Sequence, residues 1–333
     1  MESIYTNLKI YILLQLPPNQ RDNVFALKRY SFWGKKTPLS KPMIIAFVDG
    51  KSFHGGLCDR FKGMVSLFHF SLIKGYDFRI SHTFPFDLEE YLLPNQCEWR
   101  VAKAEICTCY RGAKYMNLIK DGSIARLKDL RTTKQVHCYA NRDITDALNR
   151  FYGTSHTWGE LFRQLFQPSD ELATLISYHK TQLGAGYVSV VFRFQNLLGD
   201  FFEYDSMELD TVQKERLIRQ NLEGLDKLVL AHPGVRILVT SDSTLFLERA
   251  ATMSQVYTLP GKVVHIDNKL HEPHDVYQKS FLDFYMLAEG DKIYSAGTEA
   301  MYKSDFPFYA AKVHDIPFER ILIGSDCLNL QSV

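Results

Sequence analysis

From residue 187 onward the chain alternates short β-rich runs with helical stretches, and this alternation constrains its fold more than any other feature. Tyr187 to Phe192 is an apolar run of the kind carried by strands buried on both faces, entered through Gly184-Ala-Gly186. A long amphipathic helix follows over Asp210 to Ala231, closed by His232-Pro-Gly234. The spacing then predicts strand Val235 to Thr240, helix Ser243 to Thr252, strands Val256 to Leu259 and Val263 to Ile266, helix His274 to Glu289, strand Lys292 to Ser295 and a last helix within 300–313. Repeated βα units imply a parallel sheet with right-handed crossovers.

The first half repeats the theme less regularly. Met43 to Val48 reads as a strand, Cys58 to Ile73 as a helix, Phe78 to Ser81 as a strand and Asp87 to Leu93 as a short helix. Ala104 to Tyr110 and Gln135 to Tyr139 read as strands, and Trp158 to Phe166 and Glu171 to Leu183 as helices. A chain of 333 residues suggests two domains more readily than one. The expected organisation is an N-terminal arm over 1–40, an α/β domain over 41–180 and a second over 181–333, with ligand in the cleft between them. The arm, with Phe32 and Trp33, is read as a packing arm or an interface element.

The formal net charge is +1 with both signs interspersed, which argues against a nucleic-acid binder that neutralises many phosphates. Cys58, Cys97, Cys107, Cys109, Cys138 and Cys327 show no metal-ligand or disulfide spacing, so they read as reduced thiols, no metal site is expected, and the placement reads as cytoplasmic. No secretory signal and no run of about twenty apolar residues is evident. The basic clusters Lys35-Lys36 and Arg126 to Lys134 read as solvated loop faces, with an acceptor or peripheral membrane role as the alternative.

The chemistry is sought where parallel sheets present it, beyond the carboxyl ends of their strands. After Met43–Val48 comes His54-Gly-Gly-Leu-Cys-Asp-Arg-Phe-Lys-Gly63. Gly55 and Gly56 let a ligand approach the backbone, while Asp59 and Arg60 open a helix, a turn suited to an anion or to packing alone. After Tyr187–Phe192 comes Arg193, costly to hold there without an anionic partner, whether a ligand or an acid such as Asp200. Asp242 follows the next strand and reads as a helix-cap element or as an acceptor for a ribose or base. Gly297 and Thr298, then Ser304 ahead of a proline-bearing helix start, make a cradle for a pyrophosphate. No G-x-G-x-x-G, P-loop, G-x-S-x-G elbow or Asp-x-Asp pair is present.

In order and spacing these four places resemble the fucosyltransferase-like GT-B glycosyltransferases, the superfamily of the nodulation and core α-1,6-fucosyltransferases and the protein O-fucosyltransferases. Gly55-Gly-Leu-Cys-Asp-Arg-Phe-Lys-Gly63 is similar to the family's G-G-x-G-D-R-x-x-G turn. Val188-Ser-Val-Val-Phe-Arg193 resembles its strand ending in H-x-R, and Ile237-Leu-Val-Thr-Ser-Asp242 its strand ending in T-D-D or T-S-D. Asp283 through Thr298 resembles its D-x-x-x-L-S-x-x-D-x-x-x-x-x-x-S helix–strand–turn. Cys58, Val191 and Ser241 depart from those patterns.

The resemblance implies two Rossmann-like domains with parallel sheets facing a cleft and a metal-independent, inverting transfer of L-fucose from GDP-β-L-fucose to a hydroxyl of a glycan or glycoconjugate, without a cofactor. It matches Arg193 to the arginine on the donor diphosphate, Asp242 to the acid near the nucleoside, and Thr298 to the hydroxyl at the phosphates. Asp59 and Arg60 match the glycine-turn pair. Asp200 and Glu203, just past Arg193, are the carboxylates expected to accept the proton. A different nucleotide sugar, or a non-catalytic glycan-binding role, is the alternative.

Overall fold

The computed structural model describes residues 15–201, 207–262, 266, 273–324 and 328–331. Its contacts divide the chain at Gln167/Pro168 into two units, with Ile266 joining the first. The sequence places the cut at 180, but helix α5 (Asp170–Leu183) runs through that point. It is tied within the second unit, where Gln278 Nε2 donates to Glu171 Oε1 at 2.7 Å.

The first unit opens with α1 (Pro18–Leu27) and is built on a parallel sheet in the order β2-β1-β5-β4. Its strands are β1 (Met43–Val48), β2 (Asp77–His82), β4 (Ala113–Leu118) and β5 (Gln135–Ala140). All six residues of β5 are buried, as an interior strand requires. Helix α2 (Leu57–Lys74) connects β1 to β2 and ends at Gly75, whose left-handed φ of 66° closes the last turn. α2 lies tight on the sheet: a Cβ on Gly63 would sit 1.8 Å from the Ala140 carbonyl oxygen, so only glycine fits. Short strands β3 (Leu92–Pro94) and β6 (Phe166–Pro168) pair with each other, and α3 (Thr145–Tyr152) and α4 (Trp158–Leu165) complete the helices.

The second unit carries strands β7 (Tyr187–Phe192), β8 (Arg236–Ser241), β9 (Val256–Thr258), β10 (Lys292–Gly297), β11 (Phe318–Ile323) and β12 (Leu328–Gln331). Their order is β12-β11-β10-β7-β8-β9, parallel except for the antiparallel edge β12. Counted from β7, the parallel strands run 3-2-1-4-5, the Rossmann order, so the chain reverses direction across the sheet between β7 and β10. Helix α6 (Thr211–Ala231) starts at a capping box of Asp210 and Gln213. It brings Ile218 and Leu225 into one core with Val188, Val190 and Phe192 of β7 and Phe246 of α7 (Thr244–Ala250). Helices α8 (His274–Ala288) and α9 (Phe306–His314) complete the unit.

Three readings need correction or limits. Ala104–Tyr110 is not a strand: Cys109 makes one isolated bridge to Ser31, and the strand begins only after Gly112. Leu88–Glu90 forms a single 3₁₀ turn and is followed by β3, so no helix spans 87–93. Of the strand read over 263–266, residues 263–265 lie outside the described residues, and Ile266 is not in a strand. α1, α3, β4, β6, β11 and β12 were not anticipated.

Candidate active site

β7 is the central strand of its sheet, and its register with both neighbours fixes what meets beyond its end. Phe192 pairs with Ser241 of β8 and with Ala296 of β10. Arg193, Asp242 and Thr298, the last just past Gly297 at the end of β10, therefore follow three adjacent strand ends at the topological reversal, where open α/β sheets take their ligands.

Arg193 and Asp242 form an ion pair, Nη1 to Oδ2 at 3.1 Å. The guanidinium also lies over the Phe201 ring, 4.5 Å from its centroid, a placement its planar cation favours. The Asp242 side chain is 1% exposed, whereas that of Arg193 keeps 19% of its surface open. Asp242 accepts from two further donors, Phe194 N at 2.8 Å and Gln195 N at 2.7 Å. These bonds hold a turn in which Gln195 has φ of 54°, a left-handed conformation uncommon outside glycine. Burial pushes the Asp242 carboxyl up, and Arg193 and the two amides pull it back.

The cap of α7 is Ser243, whose Oγ accepts from Phe246 N at 3.1 Å. Asp200, read as a proton acceptor, supports the same turn: its Oδ2 accepts from Ser243 Oγ at 2.8 Å and Leu245 N at 2.9 Å. Arg193 thus pairs with Asp242 across the sheet, and Asp200 serves α7. Its Oδ1 is buried without a partner among the described residues. Glu203 lies outside the described residues.

On the other side, Thr298 Oγ1 is buried and has no hydrogen-bond partner among the described residues. The Thr298 amide is directed at Met301 Sδ, 3.4 Å away, a weak acceptor. A small recess of about 40 Å³ opens beside it, lined by Gly297, Thr298, Met301, Lys303 and Arg320 among others. Ser304 is used locally, its Oγ accepting from Phe306 N at 3.2 Å at the start of α9. Among the described residues no three His, Cys, Asp or Glu side chains cluster to hold a metal ion.

The glycine turn of the first unit is occupied by internal bonds. Gly55 N donates to Tyr139 Oη at 2.7 Å, and a Cβ on Gly55 would stand 2.4 Å from Asp59 Oδ2. Gly56 begins α2, its carbonyl accepting from Arg60 N at 3.1 Å. Asp59 pairs with Lys62 at 2.6 Å. Arg60 is fully buried: Nε donates to Gly55 O at 2.8 Å, Nη1 reaches Phe84 O and His82 Nε2 at 2.9 Å, and Nη2 reaches Ile266 O at 3.4 Å.

One cluster at the end of β1 escaped the sequence reading. Asp49 takes Arg29 Nη2 at 2.5 Å and stands 3.7 Å from His54 Nε2. Burial pushes the Asp49 carboxyl up but is outweighed by His54 and Arg29, which hold it at about 2. Burial drives His54 down to about 4, so it is neutral near pH 7. The signal was available, since Asp49 is the first residue after a predicted strand.

The order of β7–β11 defines a Rossmann-like α/β unit, and the chain carries a second parallel α/β unit. No protein-family model and no curated protein sequence matches the chain. Among solved structures, a mutant of Arabidopsis thaliana FUT1 in complex with GDP aligns at 14% identity and TM-score 0.55, over 91% of this chain and 74% of that one. NodZ α-1,6-fucosyltransferase with GDP aligns at 12% identity and TM-score 0.55, over 88% and 99%. Fucosyltransferase NodZ from Bradyrhizobium gives TM-score 0.52 at 12% identity, over 88% and 99%. The chain has the fold of the fucosyltransferase-like GT-B glycosyltransferases.

Proposed function

We propose that this chain is a metal-independent, inverting fucosyltransferase that moves L-fucose from GDP-β-L-fucose to a hydroxyl of a glycan or glycoconjugate. The observation that carries the reading is the placement, at adjacent strand ends on the reversal of a Rossmann-order sheet, of the Arg193 guanidinium and of a Thr298 hydroxyl without a partner among the described residues. Support also comes from the fold, shared with fucosyltransferases solved with GDP and with NodZ soaked with GDP-fucose.

In this reading Arg193 and Thr298 hold the donor diphosphate, and Asp242 orients Arg193 through the pair at 3.1 Å. The acceptor oxygen attacks the anomeric carbon from the face opposite the phosphate. The bond from that carbon to the β-phosphate oxygen breaks with its electron pair staying on the phosphate, where fixed donors stabilise the charge. The acceptor proton passes to a carboxylate, and Asp200→Asn and Glu203→Gln test the two that follow Arg193.

Thermal melting with GDP, GDP-fucose, UDP, ADP and CMP is the first experiment. A ligand at 100 times its Kd stabilises by about 2.7 kcal/mol, which is readily read as a rise in Tm. GDP and GDP-fucose are expected to raise Tm, and Arg193→Ala to abolish the rise while Arg193→Lys keeps part of it. No shift with either guanine ligand overturns the proposal, and a shift with UDP alone overturns the donor.

A further inference from the structure

Between α1 and β1 a short turn presents two aromatic side chains to solvent. Trp33 is 98% exposed and Phe32 73%, with Leu27 at the end of α1 also open at 71%. Large rings normally gain most from leaving water, so an indole and a phenyl ring displayed together indicate a surface made for a partner. The turn is fixed in this outward position. Ser31 N donates to Thr108 O at 2.9 Å, and Thr108 N to Lys35 O at 3.0 Å. Lys35 N donates to Thr108 Oγ1 at 2.9 Å. Gly34 presses on the same residue, and a Cβ there would stand 2.1 Å from Thr108 O.

The charge around the rings is one-sided. From Asn23 to Val48 the chain has Lys28, Arg29, Lys35, Lys36 and Lys41 and no acid, in a protein whose net charge is only +1. Arg29 is used on Asp49 and Lys41 on Asp77. Lys28, Lys35 and Lys36 remain, Lys35 with its Nζ on the Ala104 carbonyl oxygen, joined by exposed Arg111 next to Tyr110, whose ring packs on Phe32 at 5.1 Å. Among the described residues none of these four has an acidic partner. Glu105, the nearest acid in the adjoining segment, turns its carboxylate onto Ala102 N at 2.8 Å.

We propose that this turn is a membrane-contact element that seats Trp33 and Phe32 at the headgroup boundary of an anionic bilayer. Indole favours that boundary, where one part of the ring is apolar and the other wet. Lysine stems lie along the apolar layer while their ammonium groups stay at the phosphates. Rings plus a basic cluster give two weak signals, which is what reversible peripheral binding requires. Among the described residues no helix is long and apolar enough to cross a membrane, so the contact is with the surface. The proposal is independent of the donor-site reading and shares no residue with it.

The chain has three tryptophans, and Trp99 and Trp158 are buried at 1% and 3%, so a change in emission on adding vesicles reports Trp33. The full chain is mixed with vesicles of phosphatidylcholine alone or with phosphatidylglycerol added. Co-sedimentation and a blue shift are expected only with the anionic vesicles, weakening as salt rises. Trp33→Ala should lower partitioning by roughly tenfold, and Lys35→Gln with Lys36→Gln by about thirtyfold. The proposal is overturned by no binding to anionic vesicles, by binding without an emission change, or by wild-type binding of Trp33→Ala. A blue shift that follows protein concentration without vesicles assigns the surface to a second copy and also overturns it.

Discussion

Removing the Arg193 guanidinium by Arg193→Ala leaves the Asp242 carboxylate, 1% exposed, without its cation. Deleting one partner of a buried pair costs about 3–5 kcal/mol when nothing else compensates. Here the amides of Phe194 and Gln195 remain on the carboxylate, which brings the expected cost to about 2–3 kcal/mol. For a unit of this size that is a fall in Tm of roughly 5–10 °C. The cost must also depend on pH. Burial already pushes the Asp242 carboxyl up, and loss of Arg193 moves it further in the same direction. A carboxyl raised on folding is proton-avid in the folded state, so its burden is greatest above the folded pKa and is relieved as pH falls through it. The penalty of Arg193→Ala is therefore largest at alkaline pH and shrinks on acidification. Adding Asp242→Ala removes the stranded charge, so the double variant should be less unstable than the two single losses combined, by about 1–2 kcal/mol. Urea unfolding of the four proteins across pH measures both quantities. A penalty that is flat with pH and strictly additive would refute the argument. GDP response separates structure from ligand binding, since the double variant should regain stability and still fail to bind.

Gly63→Ala would place a Cβ 1.8 Å from the Ala140 carbonyl oxygen and force α2 off β5. The expected loss is about 2–4 kcal/mol by urea midpoint, and a cost under about 1 kcal/mol would show that the helix yields freely. Burial holds His54 at about 4 and His137 at about 3, against an ordinary value near 6.5 in the unfolded chain. Their contribution is intact above about 6.5 and is lost as pH falls toward 4, because the unfolded chain binds protons that the folded one refuses. Each approaches about 1.4 kcal/mol per pH unit, so urea midpoints should fall steadily between pH 6 and 4, and a flat profile would sink the assignment.

The alternation of strands and helices was legible because its apolar runs are long and their boundaries are marked by glycine and proline. β7 matches its predicted range, and β1, β2, β5, β8 and β10 lie within a residue or two of theirs. Ala104–Tyr110 misled for a physical reason. Cys107 and Cys109 are wholly buried at a two-residue spacing, but against Phe25, Tyr30 and Tyr115 rather than between strands. β11 was hidden by Glu319 and Arg320, which break its apolar run; Glu319 pairs with Lys292 of the neighbouring strand at 2.7 Å. The rule that ligands sit beyond strand ends named Arg193, Asp242, Gly297 and Thr298. It could not say which acid meets Arg193. Asp200 is close in sequence, while Asp242 becomes a neighbour only through the β7–β8 pairing, which local periodicity does not encode.

That pairing changes what the proposed chemistry requires. Arg193 alone would offer a donor diphosphate one full positive charge, but Asp242 cancels much of it while fixing its direction. A fixed, partly neutralised guanidinium gives geometry, and the remaining charge must come from elsewhere. The neighbouring strand end supplies candidates. Lys303 lines the recess beside Thr298 with no acidic partner among the described residues, and Arg320 meets Asp305 only at 3.5 Å. Such cations act at longer range than a hydroxyl. If Arg193 holds a donor phosphate as proposed, the acid buried beside it calls for a site that spans both strand ends, with β7 and β8 setting orientation and the β10–β11 side supplying the balance of the charge.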